Sequence, residues 1–198
     1  MTRRHIIMSI PLRKGAAAPD FEFSGMDNVP LRLSDLRGRK VLLAFFRNAA
    51  CALCNLRVRH MIRHYPRWHG QGLEVLAVFE SPDFNLSRYV GRQEAPFPLI
   101  ADPQASLYDL YRVEVSEEKT QATIADVNTH PFVAEAAAEG FALTPEEGSN
   151  MNRIPAEFLI DEDGIVQIAH YGRLITDHLP MDAIDSFAAA GETVRPPE

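Results

Sequence analysis

Apolar runs of strand length alternate along the chain with stretches of helical spacing. Residues 41–46 and 73–79 are nearly unbroken apolar runs, and 97–100 is a shorter third. Continuous runs of this kind mark strands buried on both faces. Between the first two, from about Cys51 to Trp68, the residues Leu56, Val58, Met61, Ile62 and Tyr65 recur at helical spacing. They predict one buried stripe, with Arg57, Arg63 and His64 facing outward. Pro66 is expected to end or kink this helix, and Trp68 to act as a core anchor. Strand, helix, strand in that order implies a parallel pair with a right-handed crossover.

Around this unit the pattern changes. Phe21-Glu22-Phe23 and residues 29–33 alternate apolar and polar, which predicts short edge strands or a hairpin across Gly25-Met26-Asp27-Asn28. Ser34 is placed to cap one helical turn ended by Gly38. Ser81-Pro82-Asp83 opens a short helix that stops before Gly91. Asp102-Pro103 reads as an N-cap followed by proline at the first helical position, opening a helix over 107–111. Residues 158–160 and 165–169, joined by Asp161-Glu162-Asp163-Gly164, predict an antiparallel hairpin, and a last helix runs from about Met181 to Ala189. Residues 114–152 carry no comparable pattern beyond an Ala-rich helical piece over 132–139 closed by Gly140. This insertion either covers the site described next or is a surface excursion. The expected whole is an α/β domain with a central mixed sheet flanked by helices, spanning 15–198 after a tail at 1–14.

The chemistry concentrates in one place. Both cysteines of the chain, Cys51 and Cys54, lie where the first apolar run gives way to the helix. Two residues three apart in a first helical turn share a face and are close enough for a disulfide. A helix N-terminus lowers a thiol pKa and raises the thiolate fraction. From Arg47 to Gly72 there are five arginines, Arg47, Arg57, Arg59, Arg63 and Arg67, and no Asp or Glu, in a chain whose formal net charge is -7. Arg47 is the leading candidate to stabilise a thiolate, with Arg153 next. The rival readings are a pair of buried free cysteines and a zinc site, which would need His60, His64 or His69 to complete its ligands. His170, Tyr171 and His178 are read as structural.

Composition narrows the partners. A length of 198 residues, 46% hydrophobic, suits one domain with a sizeable core. The acidic balance argues against generic nucleic-acid binding or adsorption to an anionic membrane. The apolar run after Arg3-Arg4 is too short for an export signal and breaks at Pro11, and no later run approaches membrane-spanning length. The expected setting is the cytoplasm, where a disulfide is usually catalytic.

The ordered motifs resemble a family. Arg47-x-x-x-Cys51-x-x-Cys54-Asn55-Leu56 is similar to the active-site signature of the peroxiredoxin-like branch of the alkyl hydroperoxide reductase/thiol-specific antioxidant group, within the thioredoxin fold. Gly15 to Phe21, Leu33 to Gly38, and Pro155 to Asp161 followed by Asp163-Gly164 resemble its other motifs, in the same order. The resemblance implies a thioredoxin-like fold with an N-terminal strand extension and a helical insertion before the strand that follows Pro155. It also implies a homodimer. In the peroxiredoxin register Cys54 is the peroxidatic residue; in the thioredoxin register Cys51 attacks. The peroxiredoxin pattern has Thr and Pro where this chain has Cys51 and Arg47, and an Arg where it has Pro155. Pro155 instead resembles the cis-Pro that faces a thioredoxin CxxC and shapes the substrate groove.

The expected function is therefore thiol-dependent reduction of hydrogen peroxide or organic hydroperoxides, or of a disulfide, through a Cys51–Cys54 dithiol/disulfide cycle. It needs no metal and no organic cofactor, only a thioredoxin-like or small-thiol electron donor. The alternatives are a thioredoxin-type protein disulfide oxidoreductase with little peroxidase activity, and a non-enzymatic redox-sensing module.

Overall fold

The structure, a computed structural model, describes residues 10–24, 30–142 and 144–191. The Gly25–Asn28 turn and residues 1–9 of the expected tail lie outside them. Strands β1 (Glu22–Ser24) and β2 (Pro30–Arg32) form an antiparallel pair. The central sheet is built from β3 (Lys40–Phe45), β4 (Leu73–Phe79), β5 (Leu99–Ala101), β6 (Ala156–Ile160) and β7 (Val166–Tyr171), in the order β5-β4-β3-β6-β7. β3 runs parallel to β4, and β4 to β5, while β6 is antiparallel to both β3 and β7. This is the expected mixed sheet.

Alternation along β3 sends its side chains into two cores. Leu42 and Ala44 join Val58, Met61, Trp68 and Ile184 on the face covered by α1 (Ala52–Gly70) and α6 (Met181–Ala189). Leu43 and Phe45 join Phe21, Tyr108 and Phe158 on the other face, under the N-terminal segment and α3 (Ser106–Leu110). Three small helices complete the framework: α2 (Asp83–Arg88), and within the insertion α4 (Glu117–Ala125) and α5 (His130–Ala138).

Three local expectations are corrected. Pro66 does not end α1, which continues through it to Gly70. Trp68 beyond it is fully buried and donates Nε1–H to Asp185 Oδ1 at 2.6 Å. Burying a large apolar side chain contributes roughly 1.5–3 kcal/mol, the same order as the about 3 kcal/mol an internal proline costs. Asp102 does cap α3, accepting from Ser106 N at 3.0 Å and Leu107 N at 2.7 Å, but Pro103 precedes the helix instead of opening it. Arg57 does not face outward. It is buried and donates from Nε and Nη2 to the two carboxylate oxygens of Glu157 on β6, at 2.9 and 2.8 Å.

Glu157 also accepts from Leu179 N at 2.8 Å, and His178 Nδ1 lies 3.1 Å from its Oε1. Burial alone would raise its pKa, yet the Arg57 guanidinium and His178 hold it well below the ordinary carboxylate range. A depressed carboxylate contributes stability that is complete above its unfolded-state pKa and is lost only in strong acid. Removing one partner of a buried pair typically costs about 3–5 kcal/mol. Glu157→Gln should therefore lose stability on that scale in urea unfolding, whereas Arg63→Ala, at an exposed pair, should lose less than about 1 kcal/mol. Equal small losses would show that the buried pair does not anchor α1.

Candidate dithiol site

The site lies at the end of β3, where the chain turns into α1. Cys51 is the N-cap of α1, with extended backbone (φ -62°, ψ 116°), and its Sγ accepts from Cys54 N at 3.3 Å. The linking loop is pinned from several directions. Ser81 Oγ accepts from Ala49 N at 2.9 Å. The Asn55 amide donates to Ala49 O at 2.8 Å and to Cys51 O at 3.0 Å. Tyr108 Oη donates to Phe46 O at 2.7 Å. Both thiols are free and nearly buried, with Cys51 8% and Cys54 3% exposed.

Their electrostatics differ in sign. A hydrogen bond from the Cys54 side chain favours the Cys51 thiolate, burial opposes it, and the Arg47 guanidinium and Cys54 N–H add to it. The net effect lowers the Cys51 pKa to about 6. Burial pushes the Cys54 pKa well up, and the neighbouring Cys51 sulfur pushes it further. The arrangement favours ionisation of Cys51 over that of Cys54.

Arg47 is brought to the thiols as expected: its Nη1 lies 3.8 Å from Cys51 Sγ, while Nη2 donates to Met151 O. Arg153 is not. It is buried, with Nε 2.6 Å from Glu80 Oε2, Nη1 2.6 Å from Val113 O, and its guanidinium stacked 4.6 Å from the Tyr108 ring centroid. It acts on the scaffold, because Glu80 N donates to Arg47 O at 3.0 Å. Pro155 sits one residue before the Ala156–Phe45 pairing, beside the start of the thiol loop. The expected cis bond is corrected: no peptide among the described residues is cis. Trans is the lower-energy isomer of an X–Pro bond, and here Ile154 N bonds Glu114 O at 3.1 Å as the chain runs directly into β6. Gly172 closes on this segment, since any Cβ there would lie 2.9 Å from Pro155 O.

The insertion covers the site. Residues 144–152 lie against the thiol loop: Glu146, buried, accepts from Ala50 N at 3.3 Å and from Asn85 Nδ2 at 2.7 Å. A cavity of about 260 Å³ remains between Arg47, Asn48 and Cys51 on one side and Thr144, Pro145 and Met151 on the other. Glu146 and Met151 carry no signal in the sequence that would have found them. Asn55 does, as the residue after Cys54 in the family-like motif.

The basic tract is largely neutralised. Arg57 pairs with Glu157, Arg63 with Glu139 at 2.5 Å and Arg67 with Asp185. His60 Nε2 lies 2.8 Å from Glu135, and His64 Nδ1 3.3 Å from Asp185, so both rings are engaged by carboxylates. Among the described residues, no group of three or more His, Cys, Asp or Glu is placed to hold a metal ion. No described helix is long and apolar enough to cross a membrane.

Fold and site together define a thioredoxin-like protein with a CxxC dithiol at a helix N-terminus. The AhpC/TSA family model matches residues 14–169, and the chain belongs to that family. The thiol-disulfide oxidoreductase ResA of Geobacillus thermodenitrificans is 34% identical over 100 residues, 50% of this chain and 57% of that protein. ResA of Halalkalibacterium halodurans is 28% identical over 102 residues, 51% of this chain and 57% of that protein. The chain thus spans little more than half the length of these relatives. Among solved structures, a protein from Chlorobium tepidum assigned as thiol:disulfide interchange protein DsbE superposes with a TM-score of 0.61 at 23% identity, covering 90% of this chain and 99% of that one. Peroxidoxin BcpB from Mycobacterium tuberculosis gives 0.61 at 18% identity, covering 90% and 95%. The same fold therefore serves both kinds of neighbour.

The geometry sets a pH dependence. Alkylation of the reduced protein should accelerate as pH rises through about 6, the Cys51 value. Arg47→Gln should move that midpoint up by about 1 unit, since an adjacent opposite charge lowers a pKa by about that much or more. An unchanged midpoint in the variant would remove Arg47 from the account.

Proposed function

We propose that the chain is a thiol–disulfide oxidoreductase in which Cys51 attacks and Cys54 resolves. The observation that carries this reading is the placement of Cys51 Sγ at the helix N-cap, where it accepts from Cys54 N at 3.3 Å and lies 3.8 Å from Arg47 Nη1, contacts that favour its thiolate while burial disfavours that of Cys54. The Cys51 thiolate attacks one sulfur of a disulfide, breaking the S–S bond and forming a mixed disulfide. Cys54 then gives up its proton and attacks Cys51 Sγ, so that the dithiol loses the two electrons the substrate gains. The 34% identity to a ResA protein over 100 residues supports this direction over a dedicated peroxidase. So do the departures from the peroxiredoxin pattern at Cys51, Arg47 and Pro155.

Peroxide reduction is the second reading, favoured by family membership and by the Arg47 guanidinium beside Cys51 Sγ. In it, the Cys51 thiolate takes the terminal peroxide oxygen, water or an alcohol leaves, and Cys54 condenses with the sulfenic acid to give the same disulfide and water. Either cycle closes with a dithiol or small-thiol donor.

Reductant-coupled turnover separates them, with bis(2-hydroxyethyl) disulfide, hydrogen peroxide and an organic hydroperoxide offered singly. Disulfide turnover should exceed peroxide turnover and fall to background in both Cys51→Ser and Cys54→Ser. Fast peroxide turnover with an inert disulfide would replace the first reading by the second. Turnover of none would contradict both.

A further inference from the structure

Next to the thiol cavity lies another, of about 370 Å³, bounded by Ala50 and Asn55 at the start of α1 and by Phe141 and Thr144 of the insertion. Thr144 lines both cavities, and Ala50 directly precedes Cys51, so the two share a wall. The remaining wall carries Arg59, Arg88 and Arg92.

In a chain of net charge -7 this is an unusual grouping. Arg88 and Arg92 have no carboxylate partner among the described residues. The Arg88 guanidinium lies 5.4 Å from the Tyr89 ring centroid, which holds it without discharging it. Arg59 shares Glu139 with Arg63 at 3.6 Å, and its buried Nε has no hydrogen-bond partner. Gln93 spends its amide N–H on Asn55 O and Oδ1, at 3.1 and 3.0 Å, and leaves a buried Oε1 unpaired. Guanidinium forks suit carboxylates, and the free amide oxygen suits an N–H.

We infer that this cavity recognises small carboxylate-bearing peptide thiols and their disulfides, holding the carboxylates on Arg88 and Arg92 while the sulfur reaches Cys51 in the adjoining cavity. The inference rests on the dithiol reading for its chemistry. Attack of the Cys51 thiolate breaks the bound S–S bond and releases one molecule of the peptide as thiolate. Attack of Cys54 releases the second, which carries away the Cys54 proton, and leaves the Cys51–Cys54 disulfide. Two reduced molecules returning in sequence reverse the process.

Two probes test this, oxidised glutathione as a reacting disulfide and S-methylglutathione as an unreactive binder, each on the wild type and on the exposed double variant Arg88→Gln/Arg92→Gln. KM for oxidised glutathione should rise about tenfold in the variant, from two screened charge contacts, with kcat unchanged and turnover of neutral bis(2-hydroxyethyl) disulfide unaffected. Binding of S-methylglutathione in a calorimetric titration should weaken by a similar factor. Equal losses on the charged and the neutral disulfide would overturn the inference, as would absence of S-methylglutathione binding to the wild type. Arginine-dependent binding of S-methylglutathione without turnover of any disulfide would support the recognition site while contradicting the exchange chemistry.

Discussion

Helix α1 carries Arg57, Arg59, Arg63 and Arg67 with His60, His64 and His69, and contains no acid of its own. Its cations must therefore be matched from elsewhere in the chain, and that requirement ties the fold together. The acids come from β6 through Glu157, from α5 and the residue after it through Glu135 and Glu139, and from α6 through Asp185. Only the Arg57–Glu157 pair is deeply buried, so only it carries a large cost when broken. The exposed pairs add little energy each, yet they set which segments lie against the helix.

That seating leaves one guanidinium for chemistry. Arg47 stands before the helix, has no carboxylate partner among the described residues, and faces Cys51 Sγ. The helix N-terminus, the Cys54 N–H and Arg47 all act on the same sulfur, while Cys54 lies one turn deeper with burial working against its ionisation. The insertion packs over the thiol loop through Glu146 and Met151 and leaves a small cavity at Cys51 beside an arginine-walled neighbour. On the proposed reading, a sheltered thiol of lowered pKa beside an arginine-walled cavity is suited to small anionic sulfur compounds more than to unselective reaction.

Much of this was legible before any coordinates. The strand–CxxC–helix transition, the β6–β7 hairpin and α6 follow from apolar runs and turn chemistry, and the resemblance supplied the fold. What was not legible depends on pairing at long range. The spacing places Arg57 three residues after Cys54 on a charged face, and nothing local reveals that Glu157, one hundred positions on, awaits it in the sheet. Helix α4 escaped because its inward positions are Thr120 and Thr123, whose hydroxyls bond back to Ser116 O and Lys119 O, so no apolar stripe marks it. The basic tract suggested a general positive field around the thiols, but tertiary carboxylates cancel most of it and leave Arg47 as the specific element.

The central claim is that Cys51 is the attacking thiol and Cys54 the resolving one. Mapping the site of a trapped mixed disulfide tests it most directly: each single Cys→Ser variant is exposed near pH 7 to a chromogenic disulfide, and the adduct is located by peptide mass analysis. The account predicts rapid, stable labelling of Cys51 in the Cys54→Ser protein and slow labelling of Cys54 in the Cys51→Ser protein. Faster labelling of Cys54 would contradict it and reverse the roles of the two thiols.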